Sequence, residues 1–153
     1  HFCFHPNQDV LFTSNEQGSS VTVYDFDVST GFIRPKQTVS TLPKDYHGDN
    51  SCSQIQITPS GKYLYAPNRG HNTIAAFSVN NTDGSLESIG HTSTEKIPRA
   101  FTIDPSGNYL YAAGLESGFI ACYRIDEKDG SLIPLYTSEV GVGPMWVLIT
   151  PSK

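Results

Sequence analysis

The stretch TPSGKYLYAPNRG, residues 58–70, is written almost a second time as DPSGNYLYAAGLE, residues 104–116. In each copy a PSG turn separates two runs in which apolar and polar residues alternate. The two copies lie 46 residues apart (104−58). The same register continues in both directions. Pro6, Pro59, Pro105 and Pro151 follow one another at intervals of 53, 46 and 46 (59−6, 105−59, 151−105). Gly31, Gly84 and Gly130 repeat the first two intervals, and so do Asn15-Glu16, Asn68-Arg69 and Gly114-Leu115. Three series in step describe an internal repeat, and the seven extra residues of the first unit fit best in TLPKDYHGDN, 41–50, which has loop composition.

Each unit carries four short β-like runs. In the second unit they are expected at 54–58, 62–66, 73–79 and 85–92, joined by PSG, NRGH and NNTDG. Period-two alternation with aromatic and β-branched residues marks strands, and the Asp-Gly pairs mark hairpins. No stretch has helical length and period. Four antiparallel strands in about 46 residues describe a β-propeller blade. The predicted fold is therefore all-β: about three blades plus one further inner strand, GPMWVLITP at 143–151. Residues 1–153 read as a single domain, part of a larger ring, with further blades of the same chain expected before His1 and with raw sheet edges expected at both ends. In an up-and-down blade the b–c loop and the d-to-a crossover share one face. That order places Glu16, Arg69 and Arg99 on one rim, opposite the PSG turns.

Bulk properties narrow the function classes. The chain has 153 residues, 37% hydrophobic and 16% charged, with a formal charge of −5 and a pI near 5.4. That balance offers no electrostatic footprint for nucleic acid or an anionic membrane. No apolar run is long enough for a membrane-spanning helix. Cys3, Cys52 and Cys122 are scattered and odd in number, which argues against a disulfide framework and for a reduced, cytoplasmic setting. The five histidines lack ligand-like spacing, so neither a metal nor another cofactor is expected.

The segments HPNQDVLFTSNE (5–16), TVSTLPKDYHGDN (38–50), ITPSGKYLYAPNRG (57–70), PRAFTIDPSGNYLYAAG (98–114) and GPMWVLI (143–149) together resemble the seven-bladed propeller lactonases of the bacterial 6-phosphogluconolactonase type. The resemblance covers the whole chain and extends to the carboxymuconate cyclases, which form a lactone rather than open one. It implies hydrolysis of a sugar lactone in carbohydrate metabolism, at the pentose phosphate pathway. It also implies a site at the channel mouth built from a His, two Arg and a Glu. The Glu of that pattern falls on Glu16 and one Arg on Arg69; the second Arg and the His precede His1. Where relatives carry an acidic residue and a His two apart, this chain has Gln54 and Gln56.

A carboxylate and a guanidinium at one mouth suit lactone hydrolysis: a base for water and a donor for the oxyanion. An inter-blade ion pair is the competing structural reading of Glu16 and Arg69. Arg99 is expected to clamp a substrate anion or brace the crossover, and His71, just after Arg69-Gly70, to contact substrate. His5 is read as structural, Trp146 as a core aromatic or a channel-lining one, and Asn80 as turn chemistry. Beside lactonase, a lactone-forming cyclase and a non-catalytic binding propeller remain alternatives.

Overall fold

The computed structural model describes residues 1–150. All its regular elements are strands, twelve of them in three antiparallel sheets. The first sheet contains β1 (Phe2–Phe4), β2 (Val10–Asn15), β3 (Ser20–Phe26) and β4 (Ile33–Ser40). The second contains β5 (Gln56–Ile57), β6 (Tyr63–Asn68), β7 (Thr73–Val79) and β8 (Leu86–Ser93). The third contains β9 (Pro98–Ile103), β10 (Tyr109–Gly114), β11 (Phe119–Ile125) and β12 (Leu132–Glu139). Each sheet is a meander in which sequence order equals spatial order. This is the predicted three-blade architecture. Residues 141–150 differ from expectation: they form no strand. A strand exists through its ladder bonds, and no described strand pairs with this segment. Pro151, the last of the proline series, lies outside the described residues.

The repeated KYLYA run is explained by the middle blade, which is buried on both faces. Leu64 and Ala66 of β6, with Ala75, Phe77 and Val79 of β7, pack against Phe12, Val21 and Val23 of the first blade. The intervening Tyr63, Tyr65, Ile74 and Ala76 pack against Phe101, Leu110, Ala112 and Tyr123 of the third. Successive side chains of a strand point to opposite faces, so one apolar run serves two interfaces. In the third blade the same motif has one packed face: Leu110 is buried and Tyr109 is exposed.

The outer pair of every blade carries a bulge at the same place. Lys36, Ile89 and Leu135 are the extra residues opposite Val23/Tyr24, Ala76/Phe77 and Cys122/Tyr123, and they too recur at 53 and 46. The turns between the outer strands also pack on the preceding blade. Gly130 has φ +75°, and a Cβ there would meet the Tyr63 ring, whose neighbour Tyr65 donates its hydroxyl to Gly130 O at 2.7 Å. Gly31, in the same turn of the first blade, has φ +73° with nothing within 4 Å of an added Cβ.

His5 is structural, as read from the sequence. The Asn7 N–H donates to its Nδ1 at 3.0 Å, so Nε2 carries the proton and donates to Gly61 O at 3.1 Å across the first two blades. Burial pushes its pKa below the usual imidazole value, and burial does the same to His91, which donates Nε2–H to Thr41 O at 2.9 Å.

Two measurements check these readings. Gly130→Ala combines backbone strain, about 1 kcal/mol, with a collision between blades that should cost about 1–3 kcal/mol more by urea denaturation in the parent than in a Tyr63→Ala background. Equal losses would show that the turn does not lean on Tyr63. The neutral histidines set a pH window. Above about pH 6.5, the ordinary imidazole value, His5 and His91 are neutral whether the chain is folded or not. Below it the unfolded chain binds protons that the folded rings refuse until a lower pH, so stability falls as pH falls. Melting temperature should drop between pH 7.5 and 5.5, and the drop should shrink in His5→Gln/His91→Gln.

Candidate active site

The rim turns that follow β2 and β6 bring Glu16 and Arg69 together. The link is the crossover between the first two blades. The Cys52 N–H donates to Glu16 O at 2.9 Å, and the Arg69 N–H donates to Ser51 O at 2.9 Å. Arg69 Nη2 donates to Glu16 Oε1 at 2.5 Å and to Cys52 O at 2.8 Å. One peptide therefore spaces the two charges and ties both to the rim. The arginine side chain is 16% exposed and the glutamate side chain 59%, so the cation is the held member and the anion the accessible one. The hydrogen bond from Arg69 holds the Glu16 carboxyl below the usual carboxylate range; the charge of Arg69 adds to this, and Arg99 contributes less.

The position of Arg69 depends on the loop 41–50, the insertion that lengthens the first repeat. Asn68, the last residue of β6, is fully buried. Its Nδ2 donates to Thr41 O at 2.6 Å and Thr73 Oγ1 at 3.3 Å, while its Oδ1 accepts from Thr41 Oγ1 at 2.8 Å and Asn50 Nδ2 at 3.0 Å. Asn50 Oδ1 in turn accepts the Gly70 and His71 N–H groups at 2.9 and 3.1 Å. The loop comes so close that a Cβ on Gly70 would overlap Asp49 O. Glycine is required there by contact, not by its φ.

Glu16, Arg69 and Arg99 line one cavity of about 240 Å³ with His1, Ser53, Gln54, Met145 and Trp146. Arg99, on the first turn-ward residues of β9, has no hydrogen bond or ion pair among the described residues. His71 is not brought to this cavity. The turn after Gly70 carries it onto Tyr46, ring centroids 4.5 Å apart, with Nδ1 bonded to Thr73 Oγ1 at 2.8 Å. Trp146, read from the sequence as a core or a channel-lining aromatic, lies at the cavity wall and is 69% exposed, in a segment with no ladder partner among the described residues. Sequence reading missed His1, Ser53 and Met145. The signal was present for His1, since His1, Gln54, Ala100 and Trp146 occupy the same place in successive repeats.

The two glutamines have distinct positions. Gln56 spans to the third blade with both ends of its carboxamide, accepting from the Ile103 N–H and donating to Phe101 O, each at 3.0 Å. It is a link between inner strands. Gln54 accepts the Phe101 N–H at 2.9 Å and also lines the cavity. Beside them Ser53 Oγ donates to Pro98 O at 2.8 Å.

A family profile described as "Lactonase, 7-bladed beta-propeller" matches residues 1–149. The chain belongs to this family. Among curated lactonase-family relatives it is 39% identical to a protein from Pectobacterium carotovorum named 6-phosphogluconolactonase, over 97% of this chain and 45% of the relative. It is 42% identical to one of the same name from Erwinia tasmaniensis, over 97% of this chain and 44% of that one. The chain thus spans under half the length of these relatives. A crystal structure of a Lactobacillus plantarum protein superposes with a TM-score of 0.91 at 30% identity, covering 95% of this chain and 43% of that one. The lactonase-family assignment accounts for the three blades.

Asn68→Ala should cost about 2–4 kcal/mol, because it leaves several buried groups without partners. The same change should free Arg69 from its place, so the Glu16 carboxyl, followed by NMR titration, should move back toward the usual carboxylate range. An unmoved Glu16 titration would show that Asn68 does not position the pair.

Proposed function

We propose that this chain contributes the reaction mouth of a lactonase that opens a phosphorylated sugar lactone of the 6-phosphogluconolactone type. The observation that carries the reading is the convergence of Glu16, Arg69 and the uncommitted Arg99 on one cavity. The names of the two relatives support the same substrate class.

Lactone hydrolysis adds water to the carbonyl carbon and expels the ring oxygen as a hydroxyl. Charge develops on the carbonyl oxygen as water attacks. Arg69 is held in a fixed position by Cys52 O and Glu16, so its guanidinium meets that charge without first reorganising. Glu16 accepts the proton of the attacking water through a carboxylate that its arginine keeps ionised. The same contact makes Glu16 a weaker base than an unpaired glutamate. An activated ester such as a sugar lactone asks little of its base, which fits this pairing. Arg99 supplies the second positive charge, suited to the substrate's phosphate. Trp146 offers an apolar wall to the C–H face of the sugar ring.

In the full-length protein, Glu16→Gln should lower kcat for 6-phosphogluconolactone about 10²–10⁴-fold, the scale of a lost general base. Arg69→Ala should cost about 10²–10³-fold. Arg99→Ala should act mainly on KM, as loss of uniform binding does. Unchanged turnover in Glu16→Gln, with lower stability in each single variant and recovery in the double, would reduce the pair to a structural clasp.

A further inference from the structure

Gln54, two residues before β5, has a carboxamide that faces two places at once. Its oxygen is committed to the third blade through the Phe101 N–H at 2.9 Å. That backbone group can only donate, so it selects the oxygen of the carboxamide and turns the NH2 the other way. The NH2 has no hydrogen-bond partner among the described residues, and the side chain lines the cavity shared with Arg69 and Arg99. Gln56, two residues on, has both ends of its carboxamide taken by β9, which shows what a purely linking glutamine looks like here. The residue at the same place in the third blade is Ala100, which brings no polar group.

We propose that Gln54 is a substrate-contacting, specificity-determining residue whose oriented NH2 donates a hydrogen bond to an oxygen of the bound sugar lactone. The assignment rests on the lactonase reading above. It differs from the roles of Arg69 and Arg99 because the donor is neutral and its direction is set by the neighbouring blade. Such a donor selects for a hydroxyl or ring oxygen at one position, whereas a guanidinium selects for negative charge. The contact exists before and during reaction, so it acts on binding rather than on turnover.

Gln54→Glu tests this in the full-length protein. Glutamate keeps an oxygen for the Phe101 N–H but turns an acceptor, with negative charge, toward the ligand. KM for 6-phosphogluconolactone, and Kd for 6-phosphogluconate by calorimetry, should each rise about tenfold or more, with kcat little changed. As pH falls through the carboxyl range the introduced side chain gains a proton and again offers a donor, so the deficit relative to the parent should shrink. Gln54→Met, which removes the donor without adding charge, should raise KM by a smaller factor and show no such pH relief; it also carries the test if Gln54→Glu does not fold. Unchanged KM and Kd in both variants, or a fall in kcat at constant KM, overturns the assignment. A parent that binds the sugar acid without hydrolysing the lactone removes the lactonase reading, and Kd alone then decides on Gln54. A parent that binds neither overturns both.

Discussion

The buried carboxamide of Asn68 is the constraint on which the rim depends. It closes the end of β6, receives the loop 41–50, and stands one residue before the arginine of the site. A carboxamide has donors and acceptors in fixed directions, and here two of each are used. Buried polar groups tolerate few alternative arrangements, because each broken bond leaves a group that water cannot reach. The chain thus turns a packing position of the blade into a positional reference for Arg69. Cys52, whose thiol is pushed upward in pKa by burial, joins the same network through its Sγ, 3.2 Å from Thr41 Oγ1, and through its backbone.

From that reference the electrostatics of the mouth follow. One guanidinium is spent on holding Glu16 in its charged form, and the other is not spent within the described residues. The mouth therefore has a surplus of positive charge although the whole chain is acidic. The local charge at this rim is thus opposite in sign to the net charge of the chain.

The blade count, strand order and shared rim were legible in the sequence because they are periodic. The intervals of 53 and 46 fix which residues are equivalent, and antiparallel order fixes which ends share a face. The Glu16–Arg69 contact was legible from the same equivalence. What was not legible depends on single side-chain bonds. His71 stands two residues after Arg69 in sequence, yet the bond from its N–H to Asn50 turns it toward Tyr46. Gln54 and Gln56 look alike in sequence, and only the register against Phe101 and Ile103 separates a cavity-lining carboxamide from an interior link. The place of Trp146 in the repeat left core and channel-lining readings open, and only the structure sets it at the cavity wall.

The bulges at Lys36, Ile89 and Leu135 have a further consequence. A bulge adds twist to its strand pair, and the bulge recurs at the same place in each sheet, which favours a common twist. Units of equal twist are interchangeable parts: any one presents its loops at the height and angle of its neighbours. Such a scaffold can duplicate a unit, or exchange one with a sister protein, and keep its mouth aligned. New substrate preferences are then reached by recombining whole sheets, leaving the interior intact while the side chains at the rim are dealt anew.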